Sequence, residues 1–150
     1  MDFSGTETVA VPIEKVWTYL ADVNKVVACA PGFQRLEVLG PEHWKALIAV
    51  SIGPIKATFA MDVTRPVLQK PDLMVVKVCG KAPGSAMELE GRMGLAAVDE
   101  GQTSMDWNAQ VTVSGILARV GTGLINTMAE RLTRQFFTCL KSHLQDTEVS

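Results

Sequence analysis

The sequence predicts an α+β domain in which a strongly curved antiparallel sheet of about seven strands wraps around one long C-terminal helix, with two short helices after the first strand. Two periodicities carry that expectation. Between Phe33 and Val113 apolar and polar residues alternate as in half-buried strands, and from Leu117 onward apolar residues recur every three or four positions, as on one face of a helix. The third observation is order: the strand-like segments follow one another through short turn signals, so sequence neighbours pair in space.

Asp2 to Val11 reads as the first strand, with Phe3, Val9 and Val11 on one face. Pro12 stops it and suits the first turn of a helix, which Ile13, Val16, Trp17 and Leu20 then continue. Asp22 is the natural N-cap of a second short helix through Val27, ended by Ala30-Pro31-Gly32. Leu36 and Val38 mark the next strand, turned by Gly40-Pro41. Trp44, Ala46, Ile48, Val50 and Ile52 line one face of its successor, turned by Gly53-Pro54.

The clearest alternation follows, with Ile55, Ala57, Phe59, Met61 and Val63 set against Lys56, Thr58, Ala60, Asp62 and Thr64. Beyond Pro66 come strands centred on Met74 to Val78, Met87 to Leu95 and Met105 to Val113, the last two joined by Asp99-Glu100-Gly101. After Gly115 a single helix is expected, its stripe running through Leu117, Val120, Leu124, Met128, Leu132, Phe136 and Cys139 or Leu140. Residues 1–145 read as one domain and 146–150 as a fraying polar tail, with no repeat or linker.

A chain of 150 residues with 47% apolar and 20% charged residues has ample material for one core. Its net charge of −2 gives no long-range attraction for phosphate backbones, which argues against a nucleic-acid partner. Asp2 and Glu7 occupy the place of a basic leader, and no apolar run is of spanning length, so a cytoplasmic location is expected. Cys29, Cys79 and Cys139 are widely spaced and odd in number, which predicts reduced, mostly buried thiols.

A curved sheet and one helix rarely fill the space between them, so an internal cavity is the natural product of this architecture. From the sheet, Ile48, Phe59, Met61, Val76, Met87, Leu89 and Trp107 are expected in its wall; from the helices, Trp17, Leu124, Met128 and Leu132. Met61, Met74, Met87, Met93, Met105 and Met128 all fall on inward positions, where methionine re-packs around irregular shapes. Taken alone, ordinary core filling is the commoner role of such a set.

No constellation of catalytic residues emerges. Gly80-Lys81-Ala82-Pro83-Gly84-Ser85 has the wrong glycine spacing for a phosphate loop and reads as a hairpin; Gly121-Thr122-Gly123 lacks the strand and third glycine of a dinucleotide site. His43 and His143 have no ligand pair nearby in sequence, so no metal site is expected. Glu7 faces inward by alternation; a strand bulge or exposure at an edge is the expected resolution.

Pro12-Ile13-Glu14-Lys15-Val16-Trp17, Ala28-Cys29-Ala30-Pro31-Gly32, Ile52-Gly53-Pro54-Ile55 and Gly115-Ile116-Leu117-Ala118-Arg119-Val120-Gly121, with Gln135-Phe136-Phe137 in the last helix, together resemble the carbon monoxide dehydrogenase CoxG family of the START-like (SRPBCC) helix-grip superfamily. The resemblance spans almost the whole chain. It implies a helix-grip fold and a non-catalytic accessory protein of a molybdenum-containing hydroxylase such as carbon monoxide dehydrogenase. The implied role is recruitment of the enzyme to the inner face of the cell membrane through peripheral contact, or delivery to it of an isoprenoid quinone or other lipid held in the cavity; no tightly bound cofactor is implied. The other readings are a small helix-grip enzyme of cyclase or hydrolase type acting on a hydrophobic substrate, and an interaction adaptor with a filled core. Fold alone does not choose among them.

Overall fold

The alternating segments become seven antiparallel strands in one sheet, β1 (Asp2–Val9), β2 (Phe33–Gly40), β3 (His43–Ile52), β4 (Ile55–Gln69), β5 (Leu73–Ala82), β6 (Ser85–Asp99) and β7 (Gln102–Gly115). The structure, a computed structural model, describes residues 1–149, with side chains described through 146. Sheet order is β1-β7-β6-β5-β4-β3-β2, a meander in which β1 returns to close against the last strand. Helices α1 (Ile13–Ala21) and α2 (Val23–Val27) fill the excursion between β1 and β2, and α3 (Thr122–Val149) lies in the curl of the sheet.

Short-range chemistry explains these boundaries. The Asp22 carboxylate accepts a hydrogen bond from the Asn24 amide at 3.0 Å, capping α2 as its sequence predicts. On β4 the alternation holds: Phe59 and Met61 are buried while Lys56, Thr58 and Asp62 are exposed. Pro66 does not end this strand as expected. Strand β4 continues to Gln69 through a register shift between Thr64 and Val67, where a bulge removes the need for a proline amide in the ladder.

A further expectation changes. The predicted single helix after Gly115 is broken: Ile116–Val120 form a short 3₁₀ helix, and Gly121, at φ 93°, separates it from α3. Beyond that break Leu140 is buried as the stripe expects, Ile125, Phe137 and Leu144 are buried outside it, and the stripe's Leu124 is exposed. Glu7 needs no bulge, because β1 pairs with β7 in unbroken register through Glu7 and Met105. The expected exposure at an edge is what is found: on edge strand β1 the Glu7 carboxylate meets Lys141 of α3 at 2.9 Å, each side chain one-third exposed.

The core has two centres. One packs Val16, Trp17, Tyr19 and Leu20 of α1 against Val9, Met74, Met105, Phe137, Leu140 and Leu144. The other gathers Ala46, Ile52, Phe59, Met61 and Leu117. Arg65 locks the first to the sheet: its Nη1 donates to the Ala21 carbonyl at 2.9 Å, its Nε to the Glu42 carboxylate, and its guanidinium lies 5.0 Å over the Trp44 ring. Among the described residues, every buried side-chain nitrogen or oxygen has a hydrogen-bond partner.

Candidate functional site

Between the two core centres the chain leaves a cavity of about 530 Å³. Strands β3, β4, β6 and β7 supply one wall through Ile48, Phe59, Met61, Met87, Leu89 and Trp107, and α3 supplies the other through Met128 and Leu132. Of the expected wall residues, Val76 borders instead an adjoining void of about 470 Å³, which shares Pro31, Leu89, Trp107, Ala109, Leu132 and Thr133 with the first. Trp17 lies outside, packed into the core around α1, and Leu124 is exposed beyond the helix break.

The methionines divide by position. Met105 is a packed core residue, Met61, Met87 and Met128 line the cavity, and Met93 and the core residue Met74 border the adjoining void. Gly80, buried on β5, is the reason Met61 and Met87 can lie across the sheet, since a Cβ there would meet Met61 Sδ and Met87 Cγ. Trp107 is held similarly. Its indole lies over Gly5 on the neighbouring strand, where a Cβ would approach it to 2.9 Å, and its ring centroid is 5.7 Å from that of Phe137. The indole borders both apolar voids and a polar cleft between β1 and α3.

Polar chemistry at the cavity is sparse. Ser51, Thr133, Gln135 and Arg131 border it, and among the described residues Arg131 is its one ionisable neighbour. The periodicity puts Phe3 on an inward face without assigning it to the wall, and marks neither Ile125 nor the Pro31-Gly32 rim; Ile125 becomes legible only with the helix break, and Gly32 only through its φ of 82° beside Ala49. Such a wall can enclose an apolar molecule and offer a few hydrogen bonds, and among the described residues it has no acid–base pair.

A second cluster lies where α1, the turn after α2, and α3 meet. The expected reduced thiols are not found there: Cys29 and Cys139 form a disulfide with their Cα atoms 5.6 Å apart, while Cys79 is free and exposed rather than buried. Spacing hides the pair because 110 residues separate its members. Nor is His143 remote from sulfur; Nδ1 lies 3.7 Å from Cys29 Sγ and Nε2 lies 4.0 Å from Cys139 Sγ. The Tyr19 hydroxyl is 3.0 Å from His143 Nδ1 and 3.3 Å from the Lys25 carbonyl. Burial first, and the Asp22 carboxylate second, push the Tyr19 phenol above its ordinary pKa.

A curved sheet gripping one long helix around an apolar void defines the helix-grip class of ligand-binding folds, and solved structures agree. A conserved protein from Geobacillus kaustophilus superposes with a TM-score of 0.92 at 20% identity, covering 98% of this chain and 97% of its own. A START superfamily protein from Mycobacterium smegmatis gives 0.74 at 14% identity, with 97% and 98% covered. The ZhuI aromatase/cyclase from Streptomyces sp. R1128 gives 0.73 at 16%, with 97% and 93% covered. At these identities the likeness is one of fold. The chain belongs to the carbon monoxide dehydrogenase CoxG family, whose model matches residues 5–145. No curated protein matches it. Among the described residues, no helix is long and apolar enough to cross a membrane.

Proposed function

We propose that this protein is a non-catalytic accessory protein that binds a hydrophobic molecule, an isoprenoid quinone or another lipid, in the cavity between sheet and helix, and serves a molybdenum-containing hydroxylase of the carbon monoxide dehydrogenase type. The observation that carries the reading is the cavity itself. Its volume of about 530 Å³ falls within the range of small-molecule sites, and its wall is mostly apolar with a few polar groups. Membership of the CoxG family, whose name links it to carbon monoxide dehydrogenase, supports a hydroxylase as partner. The cyclase alternative requires groups placed to move protons in the pocket, and a wall whose ionisable neighbour is Arg131 favours carriage over chemistry. The void also argues against an adaptor with a filled interior.

Titration of the purified protein with a short-chain quinone tests the binding claim. Saturable quenching of tryptophan emission at one quinone per chain is expected, and Trp107→Phe should remove most of it, because Trp17 and Trp44 lie outside the cavity wall. Unchanged emission together with no uptake by native mass spectrometry refutes the reading. The partnership has its own check: affinity capture at native expression should recover a molybdenum hydroxylase, and repeated capture without one refutes that half alone.

A further inference from the structure

The Cys29, Cys139 and His143 cluster stands apart from the apolar cavity and is unexplained by ligand carriage. We infer that its reduced form is a binding site for a thiophilic divalent cation of the zinc class, with the disulfide as the closed form of the same site. Three ligand atoms converge there, all within 4.8 Å of one another. Cys139 and His143 are four residues apart on one face of α3, and Cys29 comes from the turn after α2, fixed by the hydrogen bond its backbone N–H donates to the Val26 carbonyl at 3.0 Å.

The spacing suits the ion. Zinc–sulfur bonds of about 2.3 Å and zinc–nitrogen bonds of about 2.0–2.1 Å at tetrahedral angles place ligand atoms roughly 3.6 to 3.8 Å apart. Nε2 already lies 4.0 Å from Cys139 Sγ, and the three ligand atoms lie within 4.8 Å of one another, so the rearrangement required is to part the two sulfurs and draw Cys29 Sγ, now 3.7 Å from Nδ1, toward Nε2. Tyr19 completes the arrangement as a positioning residue: with His143 ligating through Nε2, its Nδ1–H donates to the Tyr19 oxygen, and the Tyr19 hydroxyl donates onward to the Lys25 carbonyl.

The chemistry balances in two steps. A dithiol reductant delivers two electrons and two protons, breaking the sulfur–sulfur bond to give two thiols as the reductant itself becomes a disulfide. The cation then displaces one proton from each thiol into solvent, forming two metal–thiolate bonds and one metal–imidazole bond. Either form ties α3 to the turn that continues into Pro31 and Gly32, at the rim of the cavity.

The test reduces the whole protein anaerobically with a phosphine, which supplies the electron pair and leaves as its oxide, removes the reductant, and titrates cobalt(II) and then zinc(II). One cobalt per chain with a thiolate-to-cobalt charge-transfer band, displaced by one zinc, is expected; the oxidised protein should show none. Cys139→Ser and His143→Asn alter partly or fully exposed side chains, so their folding, checked by circular dichroism, does not depend on the buried Cys29. Each should abolish the band or weaken binding beyond the effect of Tyr19→Phe, itself about 10- to 100-fold. Cys79→Ser should change nothing. Absence of the band in reduced protein, an unchanged band and affinity in folded Cys139→Ser, or its loss on Cys79→Ser overturns the site.

Discussion

Arg65 shows how much of the fold rests on single side chains that no periodicity marks. It stands beside Pro66, where the pattern suggests a strand end, yet its buried guanidinium reaches the last turn of α1, Glu42 and the Trp44 ring at once. Arg65→Ala leaves the Ala21 carbonyl and the carboxylate without their donor; a loss of about 2–3 kcal/mol is expected in urea denaturation. Arg65→Lys should recover only part of it, since an ammonium lacks the planar fork. Gly5 is the cavity's counterpart to this. A side chain there meets the Trp107 indole, so Gly5→Val should shift tryptophan emission and weaken ligand uptake while the register of β1 and β7 holds. Unaltered emission in that variant would show that the ring is not seated as described.

The strands are readable as elements because one face of the sheet is buried over most of its length, and a period of two leaves a single register outside the shifts in β2 and those near Pro66 and Val98. Helix α3 was readable in existence but not in phase. Its stripe ran smoothly back to Leu117, and only the positive φ of Gly121 reveals the break that sends Ile125 inward and Leu124 outward. The Cys29–Cys139 bond was not legible at all, because residues far apart in sequence pair only once the topology is known. That bond closes a loop spanning 110 residues and joins α3 to the turn after α2. In a Cys79→Ser background, reduction should lower stability by about 2–4 kcal/mol in denaturant titration. An unchanged midpoint would mean that the tether constrains nothing the fold does not already hold.

At the scale of the molecule, the seven-stranded meander, the gripped helix and most of the cavity wall follow from alternation, while the division of the methionines does not. Inward position is shared by Met105, which is fully packed, and by Met61 and Met128, which face open volume; only the split of the core into two centres separates them. That split is the structural basis of the proposed function, because a continuous core would leave no place for a ligand. Filling the void should therefore abolish binding without unfolding the protein. The double variant M61W/M128W is expected to remain folded, at an overpacking cost of about 1–3 kcal/mol. The most direct measurement is native mass spectrometry of the wild-type protein and this variant after purification from the native host, coupled to solvent extraction. Wild-type protein should carry one lipid or quinone per chain and the folded double variant none; a ligand-free wild type that also fails to take up added quinone, or equal loading of the two proteins, contradicts the cavity as the binding site.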